Sequence, residues 1–242
     1  ELLYFDPSKA RPQMASKFTV LISLEEDYFS IFYPRLFSLA HAEPYVSFIV
    51  LLLKSNSRTC QNSVHYSTCL LPNINITTVN LDTQNNTQLH KTMSCCLKYI
   101  LLPSFLMQEE DGILLLDVDL MLDNIALDRL IEKLIIDQDW LPNHVQTFKT
   151  SSNDFQSCIS AGFLFAAKRH LEAFATTSSY IQTCFRYDHW NWGLDPAAII
   201  YSMGRHNLLP IKAPVLEDLP PSSEVFFVTP YEQQLKSQNR TV

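Results

Sequence analysis

Residues 112–119 read GILLLDVD, an uninterrupted run of apolar residues that ends in two carboxylates. An apolar run of this length, with no polar position in it, predicts a short strand that is buried on both faces of a sheet. Side chains two residues apart on an extended chain point to the same side, so Asp117 and Asp119 are predicted to face one site. The alternative interpretation is a strand that ends in two solvated carboxylates.

Strands and helices alternate on either side of this run. The pattern predicts an α/β protein with a mostly parallel, Rossmann-like sheet covered by helices on both faces, in which ligands bind beyond the carboxyl ends of the strands. We expect an irregular segment at 1–16, a single domain at 17–216 and a Pro-rich tail at 217–242. Predicted strands are 18–24, 45–53, 74–81, 112–116 and 161–167, and predicted helices are 25–41, with a break or kink at Pro34, then 90–106, 126–136, 169–184 and 196–203.

Composition and charge limit the class of protein. The 242 residues are 47% hydrophobic and 18% charged, which is typical of a globular chain, and the net charge of -7 argues against a nucleic-acid partner. No apolar run reaches the roughly 18 residues that a bilayer span needs. Cys95 and Cys96 are expected to be reduced core residues, whereas Cys60 and Cys69 flank a polar loop and are candidates for a disulfide.

The two carboxylates indicate a metal site. Two neighbouring carboxylates repel each other and lose hydration energy unless a cation or protons neutralise them. A hard divalent ion, Mn²⁺ or Mg²⁺, suits ligands that are all oxygen, and it commonly completes its coordination with substrate phosphates. Bound there, the ion can offset the charge that builds on a departing diphosphate. Asp117 and Asp119 are therefore predicted metal ligands.

The run from Lys98 to Ile125, KYILLPSFLMQEEDGILLLDVDLMLDNI, resembles the core of the GT-A-fold glycosyltransferases, particularly the family eight group of glycogenin and related galactosyltransferases. In that family an apolar helix ending in a Leu-Pro step precedes a strand and an Asp-x-Asp motif. The resemblance implies that Asp117, Val118 and Asp119 hold Mn²⁺ and a UDP-sugar. Lys98 lies where the family has a basic residue near the nucleotide, with the local spacing shifted by one.

Two later segments fit the same resemblance. Ser160 to Phe165 is similar to the family's Asn-Ala-Gly-hydrophobic strand, which implies that Ala161 and Gly162 line the donor sugar, with Ser in place of Asn. The alternative for Gly162 is a tight packing position or a bulge. The segment Trp190 to Asp195 matches the family's Asp-Gln segment, with Pro in place of Gln, and also resembles a Trp-rich acidic stretch of the inverting β-1,4-galactosyltransferases.

That second segment carries the predicted acceptor site and catalytic residue. Trp190 and Trp192 would stack on an acceptor sugar, and Asp195 at a helix start would accept a proton from an acceptor hydroxyl. The alternative is that Asp195 is a helix N-cap and the Trp residues belong to the core. The family eight resemblance implies a retaining reaction, whereas the other resemblance implies inversion with Asp195 as base.

The chain departs from the family pattern at one metal ligand. The family supplies a His followed by Gly near its C-terminus, but no His follows His206 here. This leaves open a non-catalytic domain of the same fold that binds a glycan or a partner protein. A haloacid-dehalogenase phosphatase also places Asp-x-Asp after an apolar strand, but its motif continues with Gly-Thr, whereas Leu120 and Met121 follow here.

The expected partners follow from the resemblance. They are a UDP-sugar donor and an acceptor that is a glycan, a glycoprotein or a small molecule. Sequons at Asn75, Asn85 and Asn239, together with six Cys, favour the lumen of the secretory pathway over the cytoplasm. The chain begins at Glu1, which leaves room for an upstream anchor.

Overall fold

The computed structural model describes residues 18–55, 71–81, 86–109, 112–118, 143–149 and 155–208. The strands in these ranges are β1 (Phe18–Glu25), β2 (Val46–Ser55), β3 (Ile74–Leu81), β4 (Gly112–Leu116), β5 (Asn143–Lys149) and β6 (Phe155–Ala167). The helices are α1 (Glu26–Ala42), α2 (Thr87–Leu106), α3 (Leu171–Arg186), which follows a 3₁₀ turn, and α4 (Leu194–Arg205).

The described strands form one six-stranded sheet in the order β3-β2-β1-β4-β6-β5. β1 pairs in parallel with both β2 and β4, and β2 pairs in parallel with β3. The predicted α/β fold with a mostly parallel sheet is thus confirmed. β6 runs antiparallel to β4, and β5, which the sequence pattern does not predict, runs antiparallel to β6.

The alternation of side chains along β4 divides the core into two layers. Leu114 and Leu116 belong to the cluster that packs on α1, whereas Ile113 and Leu115 belong to the cluster that packs on α2, α3 and α4. All four side chains are fully buried, as a strand in the middle of a covered sheet requires. The same alternation directs Asp117, the next residue after β4, toward α2.

Two prolines lie inside helices and do not end them. The helix with a break or kink expected at Pro34 continues to Ala42, and α2 continues through Pro103 to Leu106, the end predicted for it. A Pro removes one backbone hydrogen bond. In α1 the buried side chains of Phe32 and Leu36 on either side of Pro34 anchor the helix to the sheet, and this packing outweighs the lost bond.

Cys95 and Cys96 carry free thiols, as predicted, and Cys96 is buried. No helix in the described part of the chain has both the length and the apolar character that crossing a bilayer requires. Several predictions lie outside the described residues: the helix at 126–136, the candidate disulfide between Cys60 and Cys69, and the segments 1–16 and 217–242.

Candidate active site

A cavity of about 340 Å³ opens at the carboxyl ends of β1 and β4. From β1 the chain adds β2 and then β3 on one side and returns to place β4 on the other, so the strand order reverses between β1 and β4. In open α/β sheets a reversal of this kind separates the connecting loops and leaves a crevice for a ligand. The cavity walls come from the ends of β1 and β4, from α2 and from the start of α4.

Asp117 lies in this cavity and is paired with a buried lysine. The Lys98 ammonium, which is fully inaccessible to solvent, donates a hydrogen bond to Oδ1 of Asp117, whose side chain keeps 36% of its surface exposed. Burial lowers the pKa of Lys98, but the charge and hydrogen bond of Asp117 outweigh it, so the net shift of the pKa is upward. Lys98 is therefore positively charged at neutral pH and holds Asp117 at the cavity wall.

Asp195 reaches the same cavity from the first turn of α4. Burial raises the pKa of Asp195 to about 6; the positive charge of Lys98 opposes this shift, and the negative charge of Asp117 adds to it. The N-cap position of α4 is occupied by Gly193, whose φ is 94°, so the alternative interpretation of Asp195 as the N-cap is wrong. A carboxyl group with a pKa close to neutrality, in a cavity, is typical of an acid or base in catalysis.

The two predicted acceptor-binding Trp residues have different surroundings. Trp192 lines the cavity and keeps 66% of its surface exposed, as a ring available to stack on a ligand does. Trp190 packs against the core on the α2 side, and its Nε1 donates a hydrogen bond of 2.6 Å to Oδ1 of Asp188. Of the two rings, Trp192 is the one in a position to meet a ligand.

Four other predicted site residues are Val118, Asp119, Ala161 and Gly162. Val118 lines the cavity beside Asp117, and Asp119 lies outside the described residues. Ala161 and Gly162 belong to β6, in which Phe163 pairs with Leu116 at the end of β4. The β6 backbone at Gly162 is therefore next in register at the edge of the sheet where β4 ends.

β1 and α2 supply a wall of the cavity that the sequence patterns did not predict. Glu25, at the end of β1, lines the cavity and lies 3.6 Å from Nδ1 of His90. Thr92 and Cys95 line the cavity from α2. The carboxyl-end rule that pointed to Asp117 also applies to Glu25, so the sequence held a signal for that residue. For Thr92 and Cys95 it held none, because their orientation depends on how α2 docks.

The described residues include one predicted ligand of a divalent cation, Asp117. Within the described ranges, no group of three Cys, His or acidic side chains is placed to hold a metal ion. Asp117 offers the hard oxygen ligand that Mn²⁺ or Mg²⁺ prefers, and its exposed surface opens into the cavity. Asp117 therefore fits the role of one carboxylate ligand, and Asp119 is predicted to supply the other.

Comparison with solved structures shows the fold class. The galactosyltransferase LgtC, solved with donor and acceptor sugar analogues, matches with a TM-score of 0.51 and 11% identity over 93% of this chain and 96% of LgtC. GlyE of Streptococcus pneumoniae matches with a TM-score of 0.46 and 15% identity over 92% of this chain and 60% of GlyE. Mouse xyloside xylosyltransferase 1 matches with a TM-score of 0.44 and 11% identity over 81% of this chain and 84% of that protein. No family model and no curated protein sequence matches the chain.

The likeness to LgtC extends over almost the whole of both chains. Together with the sheet order, it shows that this chain has the GT-A fold of glycosyltransferases. At 11% identity the likeness establishes the fold alone.

Proposed function

We propose that this protein is a metal-dependent glycosyltransferase that moves a sugar from a UDP-sugar to an acceptor hydroxyl with retention of configuration. The observation that supports this most is the position of Asp117, which follows the buried strand β4 and lines the cavity at the reversal of strand order. The GT-A fold and the family eight resemblance around the Asp-x-Asp motif support the same activity.

The proposed roles follow from where each residue lies. Asp117 and Asp119 hold Mn²⁺ or Mg²⁺, with Asp117 fixed by its ion pair with Lys98. The bound cation supplies neutralisation of the UDP diphosphate as it departs. Trp192 lines the same cavity and presents an exposed ring to the acceptor sugar. In a retaining reaction the departing diphosphate can take the proton of the acceptor hydroxyl, so no strong protein base is needed.

An inverting reaction is the second candidate, and Asp195 favours it. Its pKa of about 6 gives a carboxylate at neutral pH that can accept the acceptor proton, and it lines the same cavity as Asp117. The anomeric configuration of the product, measured by NMR during the first turnovers, separates the two candidates.

Replacing Asp119 with Ala tests the proposed function. We expect wild-type protein to hydrolyse a UDP-sugar slowly in the presence of Mn²⁺ and not in the presence of EDTA, and the variant to lose Mn²⁺-dependent UDP binding measured by calorimetry. Glu172→Gln removes an exposed carboxylate on α3 and is the matched control. Undiminished Mn²⁺-dependent binding by Asp119→Ala would refute the metal site, and binding without any hydrolysis would favour a non-catalytic binding domain.

A further inference from the structure

Thr92, a residue of the cavity wall, has a buried hydroxyl group with which no described residue pairs. Thr92 is 2% exposed and lines the cavity from α2. Its Oγ1 is buried and has no hydrogen-bond partner within the part of the chain that the structure describes. Buried side-chain oxygens are nearly always hydrogen-bonded, so an unpartnered hydroxyl on a residue that lines a cavity points to a ligand atom as its missing partner.

Two other buried hydroxyls in the described helices donate to a carbonyl oxygen of their own helix. Thr177 donates to the carbonyl oxygen of Ala173 at 3.1 Å, and Ser202 donates to that of Ala198 at 2.7 Å. Each of these contacts is the local bond to the preceding turn that Thr and Ser commonly make in helices. Thr92 lies well inside α2, where the same bond is open to it, yet its hydroxyl group does not make it.

We propose that the Thr92 hydroxyl hydrogen-bonds a polar atom of the nucleotide-sugar donor, which makes Thr92 a specificity-determining residue. The inference rests on the proposed function. Thr92 precedes Lys98 by six residues, about 9 Å along the helix axis, and Lys98 holds the carboxylate at which the diphosphate would dock. A hydroxyl both donates and accepts, so it suits a ribose or sugar hydroxyl or a carbonyl oxygen of the base.

Thr92→Val and Thr92→Ser test the assignment. Val keeps the shape and removes the hydroxyl, whereas Ser keeps the hydroxyl. With Mn²⁺ present, we expect Thr92→Val to bind UDP or a UDP-sugar about tenfold more weakly than wild type, and Thr92→Ser to bind almost as well. Ligand-free Thr92→Val should be as stable as wild type or more stable, because no existing hydrogen bond is lost.

Thr177→Val is the matched control. Thr177 is fully buried in α3, and its hydroxyl has a protein partner. Removing that hydroxyl should lower the free energy of unfolding and leave UDP affinity unchanged. If Thr92→Val behaves like this control, losing stability without losing affinity, the Thr92 hydroxyl has a structural partner and the assignment is overturned.

Calorimetry with UDP and with UDP-sugars locates the contact. Weaker binding of UDP itself places the contact on the nucleoside diphosphate, and weaker binding of UDP-sugars alone places it on the transferred sugar; both results support the proposal. Equal affinities of wild type and Thr92→Val for every donor overturn the Thr92 assignment and leave the proposed function standing. Failure of the wild-type protein to bind any UDP-sugar overturns the proposed function and the assignment together.

Discussion

At the scale of single residues, the charge of the cavity depends on Lys98, Asp117 and Asp195. The buried ammonium of Lys98 interacts with the carboxylates of Asp117 and Asp195, which line the cavity. Asp195 raises the pKa of Lys98, and Lys98 in turn opposes the upward shift of the pKa of Asp195. The proposed cation would add positive charge beside Asp117. The charges of the three side chains are therefore coupled, so replacing Asp195, for example, should change the pKa of Lys98.

The Lys98–Asp117 pair should respond unequally to the loss of each partner. Asp117→Ala leaves a fully buried ammonium without its ion-pair partner, and we expect a loss of about 3 kcal/mol in the free energy of unfolding. In Lys98→Met the Met side chain fills the buried volume of the lysine, and the Asp117 carboxylate that remains already meets solvent. The loss in the free energy of unfolding should therefore be smaller. Urea unfolding at pH 7 measures both variants, and a larger loss for Lys98→Met would contradict this account.

Asp195 should make stability depend on pH. Its folded pKa of about 6 lies above the unfolded value of about 3.9, so between these values the folded protein binds more protons than the unfolded protein. The Asp195 contribution to the free energy of unfolding therefore falls as pH rises from about 4 to 6 and is level above that.

Asp195→Asn removes this dependence. At pH 7 we expect the variant to be more stable than wild type, by up to about 3 kcal/mol, because no ionised group remains in the desolvated position. At pH 4 the two proteins should have nearly equal stability. Thermal or urea unfolding across this pH range measures the difference, and a constant gap at all pH values would exclude Asp195 as its source.

At the scale of elements, the junction of β4 with β6 sets the position of Asp117. A Cβ atom on Gly112, the first residue of β4, would lie 2.5 Å from the carbonyl oxygen of Ala166 in β6. Contact that close is not tolerated between a side chain and backbone. β4 can therefore lie against β6 in this register only with Gly at its first position, and the register carries Asp117 to the sheet edge.

Gly112→Ala and Gly193→Ala should separate steric from conformational strain. Gly112→Ala forces the β4 and β6 backbones apart, and we expect a loss of about 3 kcal/mol in the free energy of unfolding. A Cβ on Gly193 meets no described atom within 4 Å, and its cost, about 1 kcal/mol, comes from the φ of 94°. Urea unfolding compares the two, and a larger loss for Gly193→Ala would show that the β4–β6 contact can relax.

The sequence predicted most of the described elements, with ends close to those of the structure apart from the start of β6. Apolar runs predicted β1, β2 and β4, because a strand covered on both faces must be apolar at every position, and the alternation along 74–81 predicted β3. The break or kink expected at Pro34 does not end α1, which the surrounding apolar residues keep continuous. β5 carries polar residues, NHVQTFK, and gave no apolar signal. These misses share one cause: tertiary packing outweighs the local preference of a single residue or segment.

At the scale of the whole molecule, the cavity is a product of strand order. Asp117 comes from β4 and Asp195 from the start of α4, and the two are far apart in sequence. They meet because β4 returns to the other side of β1 and α4 packs on the same sheet face as α2. The sequence patterns predicted each of the two residues separately, from the segment in which it lies. They did not predict that Thr92 would share the cavity, since that follows from how α2 docks on the sheet.

Local sequence patterns are enough to predict the α/β class, the buried strand β4 and the position of Asp117 at its carboxyl end, because these depend on local periodicity and on how side chains alternate along a strand. The burial of Lys98 against Asp117, the desolvation of Asp195 and the hydroxyl of Thr92 that no described residue pairs with are visible only in the folded structure. Burial and pairing depend on which elements pack together, and the spacing of residues along the chain does not determine the distances between elements.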